Sequence, residues 1–242
     1  TLPVISIGGC SQAKPVMPSG YTGVVFPKAL GNINPYAFNN VDTLKTIQKN
    51  GNVQSIGDYA FAGCAALTNI QLDDITSVGD HAFEGCSGLT TATFPKVRAI
   101  GEQAFKGCAM LKGMDLFNTT TISANAFEGC AKMTTANLGA KIETIGAQAF
   151  KDCTSLSKIY VASTLTNIGA GAFTNCSNLA TVQLDADVDY SGAFVNCTGL
   201  TAVALGRKVT SLSGNAFMTS QEAAKKTVSY YFLNPQTKVK RY

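Results

Sequence analysis

Apolar residues recur along this chain in blocks of 21 to 23. Phenylalanine marks the beat at Phe38, Phe61, Phe83, Phe105, Phe127, Phe150, Phe173, Phe194 and Phe217, with separations of 23, 22, 22, 22, 23, 23, 21 and 23. The surrounding frame recurs too: GDYAFAGCAAL (57–67), GDHAFEGCSGL (79–89), GEQAFKGCAML (101–111), SANAFEGCAKM (123–133), GAQAFKDCTSL (146–156) and GAGAFTNCSNL (169–179), with SGAFVNCTGL (191–200) as a shortened copy. In the unit VGDHAFEGCSGLTTATF (78–94), Phe83, Cys86 and Leu89 stand three apart. That spacing predicts one face of a short helical or 3-10 turn. Alternation follows, with Leu89, Ala92 and Phe94 on one side and Thr91 and Thr93 on the other, which predicts a short strand. A second apolar position precedes each turn, at Ile56, Val78, Ile100, Ile122, Ile145 and Ile168. It sits mostly in a Thr/Ser-Ile-Gly context, read as a brief extended piece closed by a tight bend.

A unit of this size cannot bury its own apolar face, but stacked units can cover one another. Nine such units run from about residue 34 to 228, and the period falls in the roughly 20–29-residue range of leucine-rich repeats. The predicted fold is α/β leaning to β. It is a right-handed leucine-rich-repeat solenoid with one continuous parallel β-sheet on a concave face and short helical or 3-10 turns on the other side. Residues 34–217 form the solenoid; residues 1–33 and 218–242 are its caps. Each phenylalanine is expected to stack on its equivalents inside.

The spacing also places the cysteines. Cys64, Cys86, Cys108, Cys130, Cys153, Cys176 and Cys197 each follow the repeat phenylalanine by three residues. Seven equivalent nucleophiles make no chemical sense, whereas seven small buried side chains do. Stacked side chains run parallel rather than towards one another, so free thiols are expected rather than bridges. The only histidine, His81, occupies a slot held elsewhere by Tyr59, Gln103, Asn125, Gln148 and Gly171. So tolerant a slot is read as exposed, and His81 as a surface residue without a catalytic or ligand role.

Composition narrows the function classes. Of 242 residues, 45% are hydrophobic and only 14% charged, tryptophan is absent, and the net charge is +4. No apolar run approaches the roughly 20 residues of a membrane helix. The densest basic run, KVKR at 238–241, is a tail rather than a patch, so nucleic acid is not an expected partner. One histidine cannot serve a Ser-His-Asp set, and there is neither a phosphate loop nor a pair of acids outside turns; an enzyme is not expected, and no cofactor or metal is called for. The start TLPVISIGG shows no signal peptide, as expected of a secreted precursor processed before this numbering begins. Cys10, after Ile7-Gly8-Gly9 and before Ser11-Gln12, resembles a lipoprotein lipidation box; the alternative is an ordinary free cysteine. Lipid attachment there would be the only contact with a membrane.

The full pattern x-x-I-G-x-x-A-F-x-G-C-x-x-L-T-x-x-x-L, as in Ile56-Gly57, Ala60-Phe61, Gly63-Cys64, Leu67-Thr68 and Leu72, resembles the BspA-like class of leucine-rich repeats found in surface antigens. The resemblance covers about four-fifths of the chain. It departs at Asn40 and Val41 in the first unit and at Thr219 and Ser220 in the last. It implies export to the cell surface, adhesion or macromolecular recognition, and no catalytic residues.

Binding is expected on the strand residues that point away from the core: Thr46, Gln48, Asn69, Gln71, Thr91, Thr93, Gly113, Asp115, Thr135, Asn137, Lys158, Tyr160, Thr181 and Gln183, then Ala202 and Ala204. Only Asp115 and Lys158 among them are charged, which disfavours phosphate-rich ligands. Two readings stay open. The face hydrogen-bonds an extracellular protein or glycan of a host matrix or neighbouring cell, with Tyr160 as the aromatic anchor; or Thr and Asn merely solubilise a sheet, since no aromatic cluster is read on it. The second leaves a structural spacer without a ligand. The acidic groups Asp73-Asp74 and Asp185, Asp187 and Asp189 are read as solvated turns; Tyr190 and Asn196 break a calcium-loop pattern.

Overall fold

A computed structural model describes residues 22–49, 51–212, 215–217, 229–232 and 238–239. Cys10 and most of the expected C-terminal cap lie outside the described residues. The chain winds into about eight turns of a parallel-strand solenoid. The ninth unit, around Phe217, is described only in part.

The long face carries ten strands among the described residues. These are β1 (Gly23–Val25), β3 (Thr46–Gln48), β5 (Asn69–Gln71), β7 (Thr91–Thr93), β9 (Gly113–Leu116), β11 (Thr135–Leu138), β13 (Lys158–Val161), β15 (Thr181–Leu184), β16 (Ala202–Leu205) and β18 (Ser229–Phe232). From β5 to β16 their alternate residues are buried, as in β11 with Ala136 and Leu138 inward and Thr135 and Asn137 outward. This face is not the single continuous sheet expected. It is laid in four segments, β1-β3, β5-β7, β9-β11 and β13-β15-β16-β18. Isolated bonds such as Lys112 N to Thr90 O (3.1 Å) bridge the breaks.

The unbroken ladder lies on a second row. It consists of two-residue strands β2 (Asn32–Ile33), β4 (Ser55–Ile56), β6 (Ser77–Val78), β8 (Ala99–Ile100), β10 (Thr121–Ile122), β12 (Thr144–Ile145) and β14 (Asn167–Ile168). All seven pair in parallel, each with the next. The row stops where the repeat shortens to 21 residues. There Tyr190 replaces the usual isoleucine, buries its ring, and donates its hydroxyl to the Ala186 carbonyl at 3.0 Å. Beyond it, β17 (Ser211–Leu212) pairs with β19 (Lys238–Val239).

The segments opposite the long strands are turns, not the helical or 3-10 elements expected; no helix occurs among the described residues. The hydrogen bonds show why. Ala60, Ala62 and Cys64 N–H bond three residues back, to Gly57, Tyr59 and Phe61. The intervening Tyr59, Phe61 and Gly63 N–H bond instead to Asp80, Ala82 and Glu84 of the next unit. Every second donor leaves the unit, so no helical run can propagate. The backbone also turns left-handed twice per unit, at Tyr59 (φ 56°) and Gly63 (φ 73°) in this copy. The result is a third inter-unit ladder.

The core lies inside these three rows. Phe38 to Phe217 form a column of rings with successive centroids 5.0 to 5.2 Å apart. All seven repeat cysteines are buried and free.

Candidate functional site

Register places the outward side chains of the long face in two rows. One runs Thr135, Lys158, Thr181, Ala202, Ser229; the other runs Asn137, Tyr160, Gln183, Ala204, Tyr231 across the four-stranded segment and its neighbour. Backbone pairing fixes both rows from β13 to β18, so side chains on those adjacent strands stand roughly 4.8 Å apart. The strand residues expected to bind all lie on this face, but the structure divides them. Asn69, Gln71, Thr91 and Thr93 sit on the separate β5-β7 segment and are exposed without enclosing anything. Asp115 is exposed on β9 and accepts a hydrogen bond from Asn137 Nδ2 at 2.5 Å.

Thr135, Asn137, Lys158, Tyr160, Thr181 and Gln183 do come together, in a groove of about 450 Å³ over β11, β13, β15, β16 and β18. Two aromatics that the sequence reading missed complete it: Phe117 and Tyr231. Phe117 is 56% exposed, Tyr160 43% and Tyr231 58%, so the expectation of a face without an aromatic cluster is corrected. Phe117 follows Leu116 where other units carry Asp73, Pro95, Gly139, Ala162, Asp185 or Gly206; an aromatic in a turn position was the available signal. Tyr231 lies in a stretch read as a cap, and only the pairing of β18 with β16 puts it beside Ala204. Gly139 is required next to Phe117, since a Cβ at 139 would lie 2.1 Å from the Phe117 carbonyl oxygen.

Electrostatically the groove is close to neutral, with Lys158 the only charged lining side chain among the described residues. At its edge Asp185 accepts a hydrogen bond from the Tyr160 hydroxyl at 2.9 Å and one from Gln183 Nε2 at 3.3 Å. The Asp185 hydrogen bond, with some burial, raises the Tyr160 phenol above its usual range, so it stays a donor. The other acids of that cluster are engaged as well. Asp187 accepts from the Thr210 N–H (3.0 Å) and hydroxyl (2.7 Å), and Asp189 from the Ser191 N–H (2.9 Å) and hydroxyl. These bonds hold both carboxyls below the usual range. Across the second row, Asp74 pairs with Lys96 at 2.7 Å and Asp73 with Lys49. No cluster of three or more potential metal ligands occurs among the described residues.

The His81 slot is not the open surface position expected. The side chain is 19% exposed, its ring stacks on Tyr59 with centroids 4.4 Å apart, and Nδ1 lies 2.7 Å from Glu84 Oε2. Tyr36 extends the stack at 4.9 Å from Tyr59. The slot tolerates varied residues because each copy meets its own neighbour along the ladder. The thiols are likewise withdrawn: burial raises Cys153 and Cys197 to about 12.

The model of the BspA type leucine rich repeat region matches in 6 copies over residues 19–134 and 120–229. Among solved structures, the chain is similar to a leucine-rich repeat protein from Bacteroides ovatus. The two are 21% identical with a TM-score of 0.62, and the alignment covers 90% of this chain and 62% of that one. It is also similar to the T. pallidum leucine rich repeat protein, at 21% identity and a TM-score of 0.52, over 87% of this chain and 89% of that one. A search of curated protein sequences gave no match. The chain thus spans under two-thirds of the Bacteroides protein, and at these identities the likeness is one of fold. Matched by the family model along nearly its whole length, and built as a stack of parallel rungs around a Phe and Cys spine, the chain belongs to the BspA-type leucine-rich-repeat family.

Proposed function

We propose that this protein is a non-catalytic component of the bacterial cell surface that recognises an extracellular macromolecule through its long-strand face. The observation that carries the reading is the groove on which Phe117, Tyr160 and Tyr231 stand exposed above a floor of mixed polar and aliphatic side chains. Large amphipathic aromatics in such positions are the residues that dominate recognition energetics. Family membership supports surface placement. The buried thiols, and a single histidine already engaged with Glu84, support a role without catalysis.

The test is adhesion of the full chain to immobilised extracellular matrix proteins and cell-surface glycans. Saturable binding is expected, weakened about tenfold or more in Tyr160→Ala and Tyr231→Ala with the fold intact. In the same assay the variant with Asp115, Lys158 and Tyr160 all changed to Ala should bind no better than Tyr160→Ala alone. Self-association without any other saturable binding would replace this reading with that of a structural spacer.

A further inference from the structure

We propose that the groove between Tyr160 and Tyr231 takes a neutral glycan chain laid along the stacking axis, an inference that rests on the recognition reading above. Tyr160, Gln183, Ala204 and Tyr231 occupy one register row on four consecutive strands. Three strand spacings separate the two tyrosines, about 14 Å. Between them the floor is low and mixes hydrogen-bonding with small aliphatic side chains: Gln183 and Ala204 in that row, Thr181 and Ala202 in the next. Two aromatic platforms bracketing small and hydrogen-bonding side chains match the chemistry of a pyranose chain. Each sugar ring offers a flat C–H face to an aromatic ring and a rim of hydroxyls to amides and hydroxyls. At about 450 Å³ the groove has the size of a small-ligand site.

Charge and backbone chemistry select this occupant over others. Among the described residues Lys158 is the only charged side chain of the lining, so neither a polyanion nor a polycation finds a row of complementary charges there. β15 and β16, which floor the space between the two tyrosines, are paired in the ladder on both sides. An extended peptide therefore cannot add a strand between the tyrosines, and Thr181 and Gln183 interrupt the apolar seam a helix would need. A proline-rich peptide remains the competitor, since it too uses aromatic-lined grooves.

The site is also rigid before any ligand arrives. It stands on the four-stranded segment, the longest run of the long face. Asp185 ties the Tyr160 hydroxyl at 2.9 Å and holds Gln183, acting as a positioning residue for both. Ordering the ring in advance removes an entropic cost from binding.

The experiment titrates the full chain with neutral cello-, manno- and malto-oligosaccharides, with heparin as polyanion and a proline-rich peptide as competitor, followed by calorimetry. At least one neutral oligosaccharide is expected to bind saturably. Tyr160→Ala and Tyr231→Ala should each weaken it about tenfold or more. Tyr160→Phe, which keeps the ring and drops the tether to Asp185, should cost only about threefold. Circular dichroism and melting of each variant verify the fold. Binding by the proline-rich peptide or by heparin alone, dependent on Tyr160, would overturn the glycan assignment while leaving recognition through this face standing. Binding of every ligand class unaffected by Tyr160→Ala and Tyr231→Ala, or absence of binding altogether, would overturn the glycan assignment and remove support from the recognition reading.

Discussion

Each repeat cysteine donates its thiol to the carbonyl of the phenylalanine in the preceding unit. Cys86 Sγ lies 3.0 Å from Phe61 O, Cys108 Sγ 3.1 Å from Phe83 O, and Cys153 Sγ 3.2 Å from Phe127 O. The Phe61 carbonyl already accepts the Cys64 N–H at 3.1 Å, so the thiol takes its second lone pair. Cysteine suits the position because it is small, apolar and a weak donor at once. Burial raises Cys153 from 9.0 to about 12, and Cys197 likewise. The sign of the linkage follows. Below the unfolded value, near pH 9, both states keep the proton and stability is intact; above it the unfolded chain ionises first, and stability is lost as pH climbs towards about 12. Urea midpoints should therefore fall between about pH 8 and pH 10.5. The seven repeat thiols of the native protein should resist alkylation by iodoacetamide at pH 8 and react fully once denatured, whatever Cys10 does. A flat or rising midpoint, or prompt native labelling of those thiols, would contradict the burial argument.

At the scale of one turn segment, the left-handed position before each cysteine decides what the sequence can hold. Gly63, Gly85, Gly107 and Gly129 occupy it with φ between 70° and 75°, and Asp152, Asn175 and Asn196 take it at 58° to 61°. Glycine lacks the Cβ clash, and Asn and Asp are the side chains that tolerate this region best. Space is not the constraint, since a Cβ on Gly85 would meet nothing closer than the Gly63 backbone at 4.0 Å. Gly85→Asn is thus expected to change unfolding free energy by no more than about 0.5 kcal/mol, while the β-branched Gly85→Val loses about 2 kcal/mol. Equal effects in chemical denaturation would show that packing, not φ, governs the site. That this segment turns was legible in the sequence. Its non-helical form was not, because Phe83, Cys86 and Leu89 at a spacing of three satisfy a 3-10 turn and this ladder alike. What separates them is the destination of alternate N–H groups, and that depends on the neighbouring unit.

At the scale of the whole molecule, rungs contact chiefly their neighbours, so a unit should be removable if register is kept. Val78 and Ile100 are paired equivalents on β6 and β8. Deleting residues 79–100 joins Val78 to Gly101 and restores a V-G-E-Q-A-F junction in the native frame. The shortened chain is expected to fold cooperatively, with the same far-ultraviolet spectrum per residue and a smaller denaturant dependence, in proportion to the surface removed. Deleting half that length throws the Phe and Cys columns out of step and should abolish folding. If the two deletions behave alike, the nearest-neighbour description fails.

The periodicity by itself determined the stack. Phe, Cys, Leu and Ile slots repeat because every rung must present the same apolar profile to the next, and a repeated demand leaves a repeated signature. Tyr160 was legible for the same reason, standing at a known outward slot. Only the tertiary structure decided that it has aromatic company. Phe117 and Tyr231 lie in a turn position and beyond the regular repeat, and they reach the groove through register across five strands rather than through any sequence neighbour. Asp185 likewise reads as a solvated turn until the fold lays it against the Tyr160 hydroxyl, 25 residues away in sequence. A core that repeats writes itself into the chain; a site assembled once, from residues meeting across rungs, does not.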